Sequence, residues 1–320
     1  MELWQLRYFV RVAETRSIAQ ASAYLRVAAP AISRSIKSLE EGLKVRLFER
    51  DGRGMHLTTA GELLMQRATS LLRDAELARQ AVTATNAHLE GQVTIGATPS
   101  FIAMTGHAFM RRCTELYPLV RPKILEGYSI YLEDWVRTGA VDIAVVNGLL
   151  PGERRISATL LGAERLFAIG RPGRFGPSRE GVPLRAVLAE ALLLPSGRNR
   201  IRGLLDKAAQ EQGLQVLVRH EVDSVGLLRD LVMDGMAQAV LPYGAVMREV
   251  EAGLLEAACI IEPEIHSDIH LIHAAELPPG PVASAAVELI RGALGEFQAR
   301  APIPVLVDGG RPPKAELRDR

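Results

Sequence analysis

Apolar residues near the N-terminus recur at helical spacing. Leu3, Leu6, Phe9, Val10 and Ala13 give a first helix one apolar face. Ser17 is a good N-cap for a second helix, in which Ile18, Ala21 and Leu25 share a face. Arg26, Val27 and Ala28 interrupt the pattern. Pro30 then suits the first turn of a third helix, whose buried stripe is Ile32, Ile36, Leu39 and Leu43. Beyond Leu43 the period changes. Val45 and Leu47, then Met55 and Leu57, alternate on either side of Asp51-Gly52-Arg53-Gly54, which predicts a small hairpin with a glycine turn. Thr59 and Glu62 have capping-box spacing and open a long helix that runs to about Leu89. In it Leu64, Leu71 and Ala78 repeat every seven residues, as do Ala68, Ala75, Val82 and Leu89. A seven-residue apolar seam on a lone helix would face water, so the pattern predicts a dimer.

From Gly91 the pattern switches to short buried strands alternating with amphipathic stretches. The strands are expected at 92–96, 123–126, 142–146, 166–170, 192–195, 215–221, 237–241 and 269–273, with helices at 105–116, 201–212, 225–234 and 282–300. Such alternation implies parallel sheets with helices on both faces, and its length implies two lobes. From Pro302 the chain is rich in proline, glycine and charge and is expected to be a loose tail.

Composition narrows the class. The chain has 320 residues, 48% of them hydrophobic and 23% charged, enough for sizeable cores in two or three units. A formal net charge of +1 argues against a polycation but allows local basic patches. Cys113 and Cys259 are far apart and form no CxxC, which excludes a disulfide framework and a four-cysteine zinc site. The opening MELWQLRYF is unlike a signal peptide, and no apolar run approaches the ~20 residues needed to cross a membrane. A cytoplasmic protein without membrane association is expected.

Ser17 to Leu39 contains Arg26, Arg34 and Lys37 and no acidic residue, a local charge of +3. A helix, a tight turn and a second helix carrying the cations is helix-turn-helix geometry. Phosphates call for cations and backbone N–H groups, and base edges for side chains near the start of the recognition helix. Ser33, Arg34 and Lys37 fall on the face opposite Ile32 and Ile36, and Arg53 at the hairpin tip is placed like a wing residue. Double-stranded DNA is the expected partner, read by Ser17, Arg26, Pro30, Ser33, Arg34, Lys37 and Arg53. The plainer alternative is a three-helix cap with a solvated basic face. The added hairpin and the seam favour DNA, because a two-fold dimer reads two half-sites.

The stretch LRYFVRVAETRSIAQASAYLRVAAPAISRSIKSLEEGLKVRLFERDGRGMHLTTAG resembles the N-terminal domain of LysR-type transcriptional regulators, and the rest has that family's layout up to the tail. The resemblance implies a winged helix-turn-helix domain at 1–58, a linker and dimerisation helix at 59–90, and a two-lobed, periplasmic-binding-protein-like α/β effector domain at 91–302. Its first lobe would span about 91–163 and 267–302 and its second about 164–266, with a flexible tail at 303–320. It also implies a small-molecule effector, contact with RNA polymerase and assembly of dimers into a tetramer. Two positions depart from the family pattern. Ala29 stands where a glutamine is common before the proline, so an amide contact to DNA is lost. Lys44 stands where glycine is usual, and a lysine tolerates a left-handed turn less well. Neither Ala28 nor Ala29 can cap the recognition helix with a side-chain oxygen, which costs ~1 kcal/mol.

In an open α/β sheet ligands sit beyond the carboxyl ends of strands, and in a two-lobed protein between the lobes. Thr98-Pro99-Ser100 follows the first strand and precedes a helix, an anion site or an N-cap. Family resemblance points to Thr98 and Ser100, and to Ser129 in the turn after the second strand. In the second lobe Arg198 or Arg200 suits a carboxylate, and Asp223 or Ser224 opens another helix. The expected effector site is Thr98, Ser100, Ser129, Arg198 and Asp223, and the expected ligand a small anionic or polar metabolite. His266, His270 and His273 converge poorly on a strand, so no metal is expected. GxSxG, P-loop, HExxH and GxGxxG are all missing, so neither catalytic residues nor a cofactor are expected. The rival readings are an enzyme with an appended helix-turn-helix and a solute-binding protein. The first predicts turnover; the second is disfavoured by the basic N-terminal module.

Overall fold

A computed structural model describes residues 1–51, 54–83, 89–148, 154–176, 181–301 and 306–307. The chain divides into two compact units, Met1–Ala87 with Thr138–Ala140, and His88–Arg137 with Val141–Arg320.

The first unit begins with α1 (Leu3–Thr15), α2 (Ile18–Leu25) and α3 (Ala29–Leu43). Each starts and stops for a local reason. Ser17 Oγ accepts the Gln20 N–H at 3.3 Å and caps α2. Pro30 sits in the first turn of α3, while Ala28 at its N-cap gives no side-chain hydrogen bond. Arg16, Arg26 and Lys44 follow the three helices with φ of 50°, 54° and 57°. All three are left-handed positions that glycine would take with less strain, and all three are filled by cations, which suit a helix C-terminus. Phe9, Ile32, Ile36, Leu39, Leu47 and Phe48 form the core, with the Phe9 and Phe48 rings 5.2 Å apart.

The hairpin follows as β1 (Phe48–Asp51) and β2 (Gly54–Leu57), antiparallel. It starts later than the alternation suggests, and Val45 is exposed. Glu40 of α3 sets the start, because its Oε1 accepts the Leu47 and Phe48 N–H groups at 2.7 and 3.2 Å. Arg53 lies outside the described residues. The long helix α4 (Thr59–Thr83) is capped one residue earlier than its capping-box spacing suggests: Thr58 Oγ1 accepts the Gly61 N–H at 3.0 Å. The first part of the expected seam is used within the chain. Ala68 is fully buried, with Leu64, Met65 and Leu72 packed on the same core. Leu71 and Ala78 are exposed. Leu89 is not helical and packs on the core of the second unit, where Gly91 (φ 135°) opens a strand.

The second unit runs β3 (Gly91–Ala97), α5 (Pro99–Leu116), β4 (Val120–Glu126), α6 (Ser129–Thr138), β5 (Ile143–Asn147) and β6 (Ile156–Gly170). It continues with β7 (Val182–Pro183), α7 (Leu184–Val187), β8 (Leu192–Leu194), α8 (Arg200–Glu211), β9 (Val218–Glu221), α9 (Val225–Met233) and β10 (Gln238–Pro242). It closes with α10 (Met247–Glu251), β11 (Glu256–Ile261), β12 (His266–Ala274), α11 (Pro281–Arg300) and β13 (Leu306–Val307). The strand order is β4-β3-β5-β12-β6-β10-β8-β9.

The sheets are mixed rather than parallel throughout. β3 lies parallel to β4 and β5, and β8 parallel to β9 and β10, as βαβ crossovers require. β6 pairs antiparallel with β12 along its first part and with β10 and β11 along its last part, so one long strand serves both lobes. Sequence alternation finds only the second half of β6, because Ser157–Glu164 is not a continuous apolar run. β9 is shorter than expected, with Gln215–Leu217 outside it. No helix among the described residues is long and apolar enough to cross a membrane.

Candidate functional site

Two surfaces carry the chemistry. On α3, Ile32, Ser35, Ile36 and Leu39 are buried, which leaves Pro30, Ser33, Arg34 and Lys37 exposed on the opposite face. Lys37 is 3.7 Å from Glu41, both well exposed, a pair of small worth. Arg34 makes no ion pair among the described residues. Arg26 is exposed at the turn before α3, and Ser17 spends its hydroxyl on the α2 cap.

The second surface is a cavity between the lobes of the second unit, with Thr98, Ser100, Ser129, Asn147 and Arg198 in its wall. Four helices begin at its wall: α5 behind Thr98, α6 behind Tyr128, α8 behind Asn199 and α9 behind Val225. Their positive dipole ends favour an anion, although Asn199 and Ser224 already accept the Ile201 and Leu227 N–H groups of α8 and α9. Leu228, Leu241, Ile130 and Ile201 supply apolar lining.

The floor is a buried polar cluster. Thr98 Oγ1 donates to Asn147 Oδ1 at 2.9 Å, and Ser100 Oγ lies 3.5 Å from Thr98 Oγ1. The Asn147 N–H donates to Ser129 Oγ at 2.9 Å, which leaves the Ser129 proton to point elsewhere. Asn147 Nδ2 donates to Glu164 Oε1 and, at 3.3 Å, to Ser267 Oγ. Glu164 has no exposed surface. Burial pushes its carboxyl up to about 7, against the pull of Asn147 and Ser100.

Contacts between lobes frame the mouth. Arg200 of α8 donates from Nη2 to both carboxylate oxygens of Glu133 in α6, at 3.0 and 3.2 Å. The Tyr128 hydroxyl donates to the Asp223 carbonyl. Burial, and next the Asp223 carboxylate, raises the Tyr128 phenol above its usual range. No group of three or more His, Cys, Asp or Glu among the described residues could hold a metal ion.

Two family profiles match this chain: "Bacterial regulatory helix-turn-helix protein, lysR family" over residues 3–62, and "LysR substrate binding domain" over residues 86–295. The chain belongs to the LysR family of transcriptional regulators. Among curated relatives, the nitrogen assimilation regulatory protein nac of Klebsiella aerogenes is 30% identical over 91% of this chain and 94% of its own. HTH-type transcriptional regulator BbuR of Bordetella bronchiseptica is 30% identical over 80% of this chain and 78% of its own. Among solved structures, a full-length OxyR variant from Pseudomonas aeruginosa shares the fold (TM-score 0.74, 22% identity, 98% of this chain and 99% of that one). HinK, a LysR family transcriptional regulator from Pseudomonas aeruginosa, aligns with TM-score 0.55 and 26% identity over 93% of this chain and 99% of its own.

The chain is therefore a DNA-binding, dimerising regulator with a winged helix-turn-helix, a long linker helix and a two-lobed effector-binding domain. In this LysR-family protein Thr98, Ser100, Ser129 and Arg198 all line the one cavity. Asp223 does not. It is exposed, and its Oδ1 accepts the Ser196 N–H at 2.9 Å, holding the loop that carries Arg198; Ser224 caps α9 through the Leu227 N–H. Sequence reasoning missed Asn147, Glu164, Glu133 and Ser267. A signal existed for one of them: Asn147 ends the apolar run Ile143–Val146.

Proposed function

We propose that this regulator binds a small anionic effector in the inter-lobe cavity and that binding changes how paired DNA domains meet a promoter. One observation carries the anion reading: four helix N-termini converge on a pocket that also holds Arg198 and the hydroxyls of Thr98, Ser100 and Ser129. Asn147 joins these as a floor residue, and Asp223 supports the rim.

On the DNA side, Arg34 reads a guanine edge or clamps a phosphate. Ser33 and Lys37 contact the same groove, and Arg26, Ser17 and Pro30 place the start of the recognition helix against the backbone. Arg53 reaches the backbone or the minor groove from the wing. The working division is 1–58 for DNA, 59–90 for the linker and 91–302 for the effector, with 303–320 as tail. Dimers pair into a tetramer, and ligand-driven movement of the lobes alters promoter bending and contact with RNA polymerase. Such coupling requires the effector to bind one arrangement better than the other.

Footprinting the DNA upstream of the protein's own coding region tests this reading, with and without a panel of acetate, pyruvate, succinate, phenylacetate and sulfate. The expected result is a protected region whose length or hypersensitive sites change with one of these anions. Protection that none of them alters, together with a melting temperature that none of them raises, contradicts it.

A further inference from the structure

We propose that Glu164 and Asn147 set the hydrogen-bonding polarity of Thr98 at the cavity wall, so that this regulator takes up a proton together with its anionic ligand. The proposal rests on the anion reading of the cavity and adds to it the protonation state in which the cavity accepts an anion.

Donor and acceptor counting leads there. An ionised Glu164 can only accept, so Asn147 must turn its Nδ2 toward it, as observed. The amide oxygen then faces Thr98 and takes the Thr98 hydroxyl proton, at 2.9 Å. In that state Thr98 offers the cavity lone pairs only, which repel a carboxylate or sulfate. A protonated Glu164 is both donor and acceptor: with the proton on Oε2, a buried atom without a hydrogen-bond partner, the Nδ2 contact persists, whereas with the proton on Oε1 it donates to an amide oxygen. We assign the second arrangement to the anion-bound state: Asn147 turns its amide over, which presents Nδ2–H to Thr98 Oγ1 and frees the Thr98 proton to point into the cavity. Ser267 Oγ, 3.3 Å from Nδ2, is a rotatable hydroxyl and serves either orientation. For each anion bound, the proton taken from solvent equals the ionised fraction of Glu164 in the free protein, about a tenth of a proton at pH 6 and about nine-tenths at pH 8, with no covalent bond changed beyond the O–H formed on the carboxylate.

The surroundings leave Glu164 as the titrating group of the floor. Facing it are uncharged side chains: Asn147 from β5, Ser100 from the start of α5 and Ser267 from β12. Leu306 of β13 is its cross-strand neighbour on the other side. Arg165, next on its own strand, pairs with Glu264 at 3.3 Å. On β12, His266 and Asp268 flank Ser267 and alternate to the opposite face. At the mouth stand Arg198 and the Arg200–Glu133 pair. Glu164 is held near its midpoint at about 7, so its protonated fraction falls about tenfold between pH 6 and pH 8.

Two measurements on the full-length protein test the proposal. Isothermal titration with the same five anions, at pH 6 and pH 8 and in two buffers of different ionisation enthalpy, is expected to show proton uptake. The affinity of the bound anion should be about tenfold lower at pH 8. Glu164→Gln, whose amide donates to Asn147 at every pH, should abolish that slope and keep the tighter affinity. In the free protein the Asn147 side-chain amide resonances should shift with a midpoint near 7, and should not shift in Glu164→Gln. A bound anion without a slope, a slope that survives in Glu164→Gln, or an Asn147 amide indifferent to the titration of Glu164 overturns the coupling. No anion bound at either pH, with the Asn147 amide still shifting, overturns the anion reading and with it the ligand half of the proposal.

Discussion

Gly61→Ala is expected to destabilise the N-terminal unit by about 3 kcal/mol, against the ordinary preference of a helix for alanine. An added Cβ would overlap the Leu47 carbonyl oxygen and lie 3.0 Å from Leu57 Cδ2. That carbonyl is held in place, because it accepts the Thr58 N–H at 3.0 Å, and Leu47 itself is fully buried. The first turn of α4 and the base of the hairpin must therefore separate, which disturbs the frame that holds α3. Gly42→Ala is the control: nothing lies within 4 Å of its added Cβ, and Gly42 is exposed near the end of α3. That change should stabilise by about 0.5–1 kcal/mol. Thermal melts of the two variants decide it, and equal shifts in the same direction would refute the packing argument.

Arg200→Met is expected to cost about 3 kcal/mol in the second unit. Glu133 is 4% exposed and Arg200 donates to both of its carboxylate oxygens, so the substitution strands a buried carboxylate. The loss should come mostly from that stranded charge rather than from the attraction itself. Glu133→Leu combined with Arg200→Met should accordingly recover most of the stability. Chemical denaturation of the two single variants and the double variant gives the coupling. A double variant as unstable as the sum of the singles would show that the pair does not act as a unit.

Much of the architecture was legible because it rests on local periodicity. The α3 stripe of Ile32, Ile36 and Leu39, the α2 cap at Ser17 and the βαβ alternation from Gly91 each follow from neighbours a few residues apart. What is not legible depends on distant partners. The seam positions Ala68 and Leu64 read as a dimer contact by spacing, and spacing does not show that within their own chain Ala68 is fully buried and Leu64 partly so. The first half of β6 is a strand because β12 pairs with it, and no periodicity within Ser157–Glu164 announces that. The cavity shows the same division. Family resemblance points to Thr98, Ser100 and Ser129, and all three line the cavity. Glu164 and Glu133 carry no such signal, because a carboxylate reads as surface until its burial partners are known. Asp223 was expected at the ligand, and its turn chemistry took it instead.

Binding of the upstream promoter duplex, measured by fluorescence anisotropy across a salt series for the wild type and Arg34→Ala, tests the role of α3 at the DNA without intermediaries. The wild type should bind with an affinity that falls steeply as salt rises, and Arg34→Ala should lose about 1–3 kcal/mol of binding if it reads a base. An unchanged affinity in Arg34→Ala, with its fold intact by circular dichroism, would contradict the placement of α3 in the groove.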